Sequence, residues 1–121
     1  MTQEEKDLLL KDLCARLPYG VIIHHDDYFD PKYPRPNEVL TINSLAQYAE
    51  EIERWNVKPY LRSMSSMTNR EKKDLDRTFY PCGEYDTNTY ETFDWYNAHH
   101  FDYRGLIPKG LAIEAPEEMY K

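Results

Sequence analysis

The opening run Thr2-Gln3-Glu4-Glu5-Lys6-Asp7-Leu8-Leu9-Leu10-Lys11-Asp12-Leu13-Cys14-Ala15-Arg16-Leu17-Pro18-Tyr19-Gly20-Val21-Ile22-Ile23 decides the fold class, because it holds a helix, a stop and a strand in succession. Thr2 and Glu5 have the spacing of a capping box, in which each side chain satisfies the other's backbone N–H. Leu9, Leu10, Leu13, Cys14 and Leu17 recur at helical spacing, with Lys6, Lys11 and Asp12 mostly on the opposite face. The pattern predicts a helix over 3–16 with Cys14 in the core. Pro18 ends it, since its ring cannot sit inside a continuing turn. The short β-branched run Val21-Ile22-Ile23 then reads as a strand.

Further along, Pro31, Pro34 and Pro36 make 26–37 irregular chain that packs through its tyrosines and Phe29. Val39-Leu40-Thr41-Ile42 reads as a second strand. Asn43 is placed to cap a helix over 44–54, with Leu45, Tyr48, Ala49 and Ile52 on one face. Val57 to Leu61 reads as an edge strand, where the N–H that Pro59 lacks does least harm. Ser63, Ser65 and Ser66 fit local hydroxyl-to-backbone bonding before a helix over 69–78, which Thr68 and Glu71 cap as a second box. Pro81, Gly83, Asp86 and Asn88 mark a loop. Residues 90–100 read as a helix, and Leu111-Ala112-Ile113 as a closing strand. The expectation is one α+β domain over 1–121: an N-terminal helix, a small mostly antiparallel sheet and two or three further short helices.

Composition narrows the function classes. The 121 residues carry 15 Lys+Arg against 22 Asp+Glu, a net charge of −7, and 17 aromatics, 11 of them tyrosine. That balance disfavours a phosphate-backbone binder, so non-specific nucleic-acid binding is not expected. No apolar run reaches the roughly 18 residues of a membrane span, and the acidic N-terminus is unlike a signal peptide. Two cysteines, Cys14 and Cys82, suit a reducing compartment such as the cytoplasm better than a disulfide framework.

Three stretches carry a resemblance. They are Leu8 to Val21 (LLLKDLCARLPYGV), Val57 to Thr68 (VKPYLRSMSSMT) and Asn97 to Ile107 (NAHHFDYRGLI). They resemble a family of short uncharacterised proteins from gut anaerobes and their phages and mobile elements. The likeness covers about half of the chain and carries no activity over. It implies a setting in a bacterial cytoplasm, phage infection included. Between His24 and Trp55 the likeness lapses; the family would imply a compact run of short strands there, against the helical spacing of 44–54.

Candidate chemistry is sparse. His24-His25 and His99-His100 offer imidazoles for a divalent metal, but adjacent histidines face different sides, so each pair could give one ligand. No zinc spacing, HExxH, P-loop or nucleophile elbow is present. Cys82 lies in a loop where a thiol could be exposed, with histidines downstream, but the sequence shows neither the neighbouring base nor the helix N-terminus that activation needs. Arg62 and Arg104 could bind an anion together with His99 and His100, although an internal pair with a carboxylate such as Asp94 or Asp102 is the favoured reading. The last third holds eight carboxylates against three bases, interleaved with aromatics. Tyr85, Tyr90, Glu91, Asp94, Trp95 and Tyr103 are therefore the candidate partner-binding residues, with an aromatic core under an acidic rim as the structural alternative. The sequence favours a non-catalytic protein-binding module without cofactor. A small-ligand or metal-binding protein or enzyme, and a self-associating structural subunit, are the other classes it leaves open.

Overall fold

The computed structural model describes residues 1–26, 36–79 and 90–120, excluding the side chains of 76–79 and 90. Helix α1 spans Gln3–Arg16, and its capping box is formed: Glu5 N donates to Thr2 Oγ1 at 3.1 Å and Thr2 N to Glu5 Oε1 at 2.9 Å. Pro18 falls in a 3-10 turn at Leu17–Tyr19 that Gly20 closes in the left-handed region (φ 71). Strand β1 (Ile22–His24) follows, then β2 (Glu38–Val39), helix α2 (Ile42–Tyr48), strand β3 (Lys58–Leu61), helix α3 (Asn69–Phe79), helix α4 (Tyr90–Ala98) and strand β4 (Ile113–Glu114). The strands form one small mixed sheet in the order β2-β1-β3-β4, antiparallel except for β3 with β4. The fold is α+β. Among the described residues no helix is long and apolar enough to cross a membrane.

Leu9 and Leu13 of α1 pack with Val21, Ile23, Leu61, Leu106 and Leu111 in the main core. Several boundaries differ from those the sequence predicts. Ile42 is not strand but the first residue of α2 and is 71% exposed, because Thr41, not Asn43, makes the reciprocal cap with Ser44. The regular helix ends at Tyr48 rather than 54, gives way to a 3-10 turn (Ala49–Glu51) and stops at Asn56, whose φ of 50 is left-handed. The closing strand is shifted to Ile113–Glu114. The proline-rich stretch 27–35, Cys82 and Tyr85 lie outside the described residues.

Strand β3 is interior, not an edge, and the register explains how it tolerates Pro59. His24 pairs with Lys58 and Ile23 with Pro59. Hydrogen-bonded and non-hydrogen-bonded pairs alternate along an antiparallel ladder. Pro59 faces β1 at a non-bonded position, and β4 joins the other side only from Tyr60 onward. The next rung would join Ile22 N–H to the Tyr60 carbonyl. Instead the Tyr120 hydroxyl stands between them, accepting from Ile22 N at 3.0 Å and donating to Tyr60 O at 2.6 Å. Burial pushes the Tyr120 phenol up to about 12, so it keeps the proton this rung needs. Past that point the turn after α4 takes the place of β1 beside β3: Arg62 N donates to His100 O at 2.7 Å and Asp102 N to Arg62 O at 2.8 Å.

A side-chain hydroxyl in the ladder is testable. We expect Tyr120→Phe to strand two backbone groups and to lower unfolding free energy by about 1–3 kcal/mol in urea titration. A loss under about 0.5 kcal/mol would mean that the strands rejoin directly.

Candidate functional site

The face α1 turns inward is Leu9, Asp12, Leu13 and Arg16, an i, i+3, i+4, i+7 set. Two of its four members are ionic, which corrects two expectations. Asp12 is fully buried rather than outward, and Cys14, one hundred degrees around from Leu13, is exposed rather than core. Asp12 can be buried because both carboxylate oxygens are matched: Arg16 Nε donates to Oδ2 at 2.8 Å and Arg104 Nη1 to Oδ1 at 2.7 Å. Arg16, also fully buried, reaches on to the Phe101 carbonyl at 2.6 Å.

Around this ion group the aromatics of the C-terminal third stack. Trp95 lies parallel to Phe101 with ring centroids 5.8 Å apart, Tyr96 to Tyr103 at 5.5 Å, and Phe93 to Tyr103 at 5.2 Å. The Arg62 guanidinium caps the Phe101 ring at 4.2 Å, and that of Arg104 the Tyr103 ring at 4.6 Å. Arg62 is held by a two-pronged pair with Glu71 at 2.6 and 2.7 Å. Those bonds and the Thr68 backbone N–H hold the Glu71 carboxyl down at about 2. Glu71 thus closes the second capping box and anchors Arg62 at once. Both arginines make internal pairs, as expected, but with Glu71 and Asp12 instead of Asp94 or Asp102. Asp102 is spent on the backbone N–H groups of Leu106 and Ile107.

The histidines are not gathered. His24 Nε2 is 3.1 Å from Asp26, while His25 is buried with Nδ1 3.3 Å from the Tyr48 hydroxyl. His99 lies on Trp95 at 4.0 Å, its Nδ1 2.9 Å from the Trp95 carbonyl. His100 is buried in the left-handed region (φ 64) and stacks on Tyr120 at 3.8 Å. His24 pairs at the first residue of β3 and His100 at the residue after its last. Four residues of strand, about 13 Å, separate the two pairs. Among the described residues no group of three or more His, Cys, Asp or Glu side chains could hold a metal. Ser66 Oγ donates to the Ser63 carbonyl at 2.6 Å, the local role expected of the serines.

Of the candidate partner-binding residues, Glu91 and Asp94 are exposed on the outer face of α4, whereas Trp95 and Tyr103 are half-buried within the stacks. Tyr85 and the Tyr90 side chain fall outside the described residues. A groove of about 530 Å³ runs beside the Arg62–Glu71 pair, between Ser66 and Thr68 on one side and Glu114 and Tyr120 on the other. The sequence reading missed Asp12, Arg16 and Tyr120. The Asp12–Arg16 pair carried a signal, its i, i+4 spacing on a helix. Tyr120 carried none. No family model, curated protein or solved structure matches the chain.

Two outcomes follow from the electrostatics. Asp12→Ala would leave Arg16 buried without its counter-charge, and we expect a loss of about 3–5 kcal/mol, read by chemical denaturation. A loss below about 1 kcal/mol would show that Asp12 does not hold this interior. Burial and the charges of Arg16, His99 and Arg62 lower His100 from 6.5 to about 4, while Tyr120 covers its ring. The unfolded chain therefore takes up this proton first, and stability should be full above pH 6.5 and fall as pH drops towards 4. Glu71, held at about 2, adds a further fall below its ordinary 4.5. His100→Asn, which tolerates the left-handed backbone, should flatten the upper limb only. Unfolding free energies measured between pH 7 and 3 check both limbs.

Proposed function

We propose that this chain is a non-catalytic protein-binding module that engages a basic surface through an acidic face formed by its C-terminal third. The observation that carries this reading is how the charges are sorted. Among residues 91–120, Glu91, Asp94, Glu114, Glu117 and Glu118 are exposed, while Lys109 is the one exposed base. Arg104 is drawn inward by Asp12 and the buried Asp102 accepts from backbone N–H groups, so neither is presented on that surface. Trp95 and Tyr103 are half-buried in the ring stacks instead of standing free as anchors. Such a surface gives fast, salt-sensitive association with a positively charged partner. A host protein that binds nucleic acid has the matching charge, and the chain would compete for that site by presenting negative charge in its place. The bacterial and phage setting implied by the sequence resemblance accords with such a role. The small-ligand alternative is weakened because Arg62 and Arg104, its anion-binding residues, are both matched by carboxylates.

The test is affinity capture from a bacterial lysate with the wild-type chain and with Glu91→Lys/Asp94→Lys and Glu114→Lys/Glu118→Lys. These positions are exposed, so both variants should retain the wild-type circular dichroism. We expect a captured protein at low salt that is lost from the variants. It should also be released near 1 M salt, where the Debye length shrinks to about 3 Å. Equal retention by the folded variants, or no capture at any salt, would overturn the proposal.

A further inference from the structure

Among the described residues, three buried side-chain atoms have no hydrogen-bond partner: Arg16 Nη1, Asn97 Oδ1 and His100 Nδ1. Their residues are 0%, 3% and 9% exposed. All three residues border the turn that ends α4. Arg16 donates through its other terminal nitrogen to the carbonyl of Phe101, the residue after His100. His100 N donates to the Asn97 carbonyl at 3.2 Å, and both side chains are buried, that of Asn97 on α4 and that of His100 in the turn that follows it. The Arg16 charge acts on both His100 and the Tyr120 ring stacked against it. Leaving a buried donor or acceptor unmatched carries a desolvation cost, and three together weigh heavily against the marginal stability of an ordinary domain.

The chemistry of the three atoms selects what would satisfy them. Arg16 Nη1 only donates and Asn97 Oδ1 only accepts. A bound anion would meet the amide oxygen with repulsion, and a cation would meet the arginine with repulsion. An apolar group would satisfy none of them. Water both accepts and donates: one lone pair for Arg16 Nη1, one O–H for Asn97 Oδ1, and for His100 Nδ1 its second O–H or its second lone pair, according to which ring nitrogen carries the proton. Chains hold about one buried water per 27 residues, each making two to four such bonds. We propose that a structural water is bound between Arg16, Asn97 and His100 and that it joins α1 to the end of α4.

The experiment is heteronuclear NMR on the uniformly 15N-labelled full chain at pH 7. Long-range 1H–15N spectra should show one strongly favoured neutral tautomer of His100, because Nδ1 has a fixed partner. Water-selective NOE and ROE spectra should show cross-peaks of a long-lived water to the Asn97 amide and the His100 ring. Asn97→Leu should abolish those cross-peaks, and His100 should lose its strong bias to one tautomer. An even mixture of the two His100 tautomers in the wild type, or the absence of any long-lived water signal at both residues, overturns the proposal. Should Asn97→Leu fail to fold, the two wild-type measurements decide the matter alone.

Discussion

The Asp12 carboxylate sits fully buried on α1, accepting from Arg16 on its own helix and from Arg104 at a separation of 92 residues. A lone carboxylate there would be far too costly, so the interior around it has to be organised to supply donors. Arg16 must enter the core with it, and Arg16 in turn needs the Phe101 carbonyl. That demand places the turn after α4 against the end of α1. The rest of the C-terminal third is positioned from this point.

Once the turn is fixed, its aromatics have few ways to pack. Phe101 is covered on one side by Trp95 and capped by Arg62, which Glu71 holds from the first turn of α3. Tyr103 stacks on Tyr96 and receives the Arg104 guanidinium. Each arginine therefore does two things at once, matching a carboxylate and covering a ring. The end of the chain completes the assembly. Tyr120 lies on His100 with its ring and supplies, with its hydroxyl, the rung that β1 and β3 do not make between themselves. Helix α1, the sheet and the C-terminal segment are thus tied together through polar contacts as well as through the leucine core.

This arrangement bears on the proposed function. Drawing Arg104 inward sharpens the charge asymmetry, leaving Lys109 as the one exposed base against Glu91, Asp94, Glu114, Glu117 and Glu118 among residues 91–120. A protein that needed Arg62 and Arg104 for an anionic ligand would have to break two ion pairs to use them. One that presents a negative face to a basic partner needs no rearrangement at all.

Much of the fold was legible in the sequence where the cause is local. The Thr2–Glu5 and Thr68–Glu71 boxes, the Pro18 stop and the strand at Ile22 each depend on residues within a few positions, so spacing alone determined them. The α+β class and the separation of an acidic C-terminal third were set the same way. Tertiary structure decided the rest. Asp12 reads as a surface charge until Arg104 arrives to match it, and Cys14 reads as core until Asp12 and Arg16 occupy that face. Pro59 reads as an edge until the register puts its missing N–H where no strand has yet joined. Tyr120 has no sequence signature, because a hydroxyl can replace a ladder bond only when two strands and a distant terminus meet. For Asp12, Pro59 and Tyr120 the deciding partner lies tens of residues away, and a contact of that range leaves no periodicity for a single sequence to show.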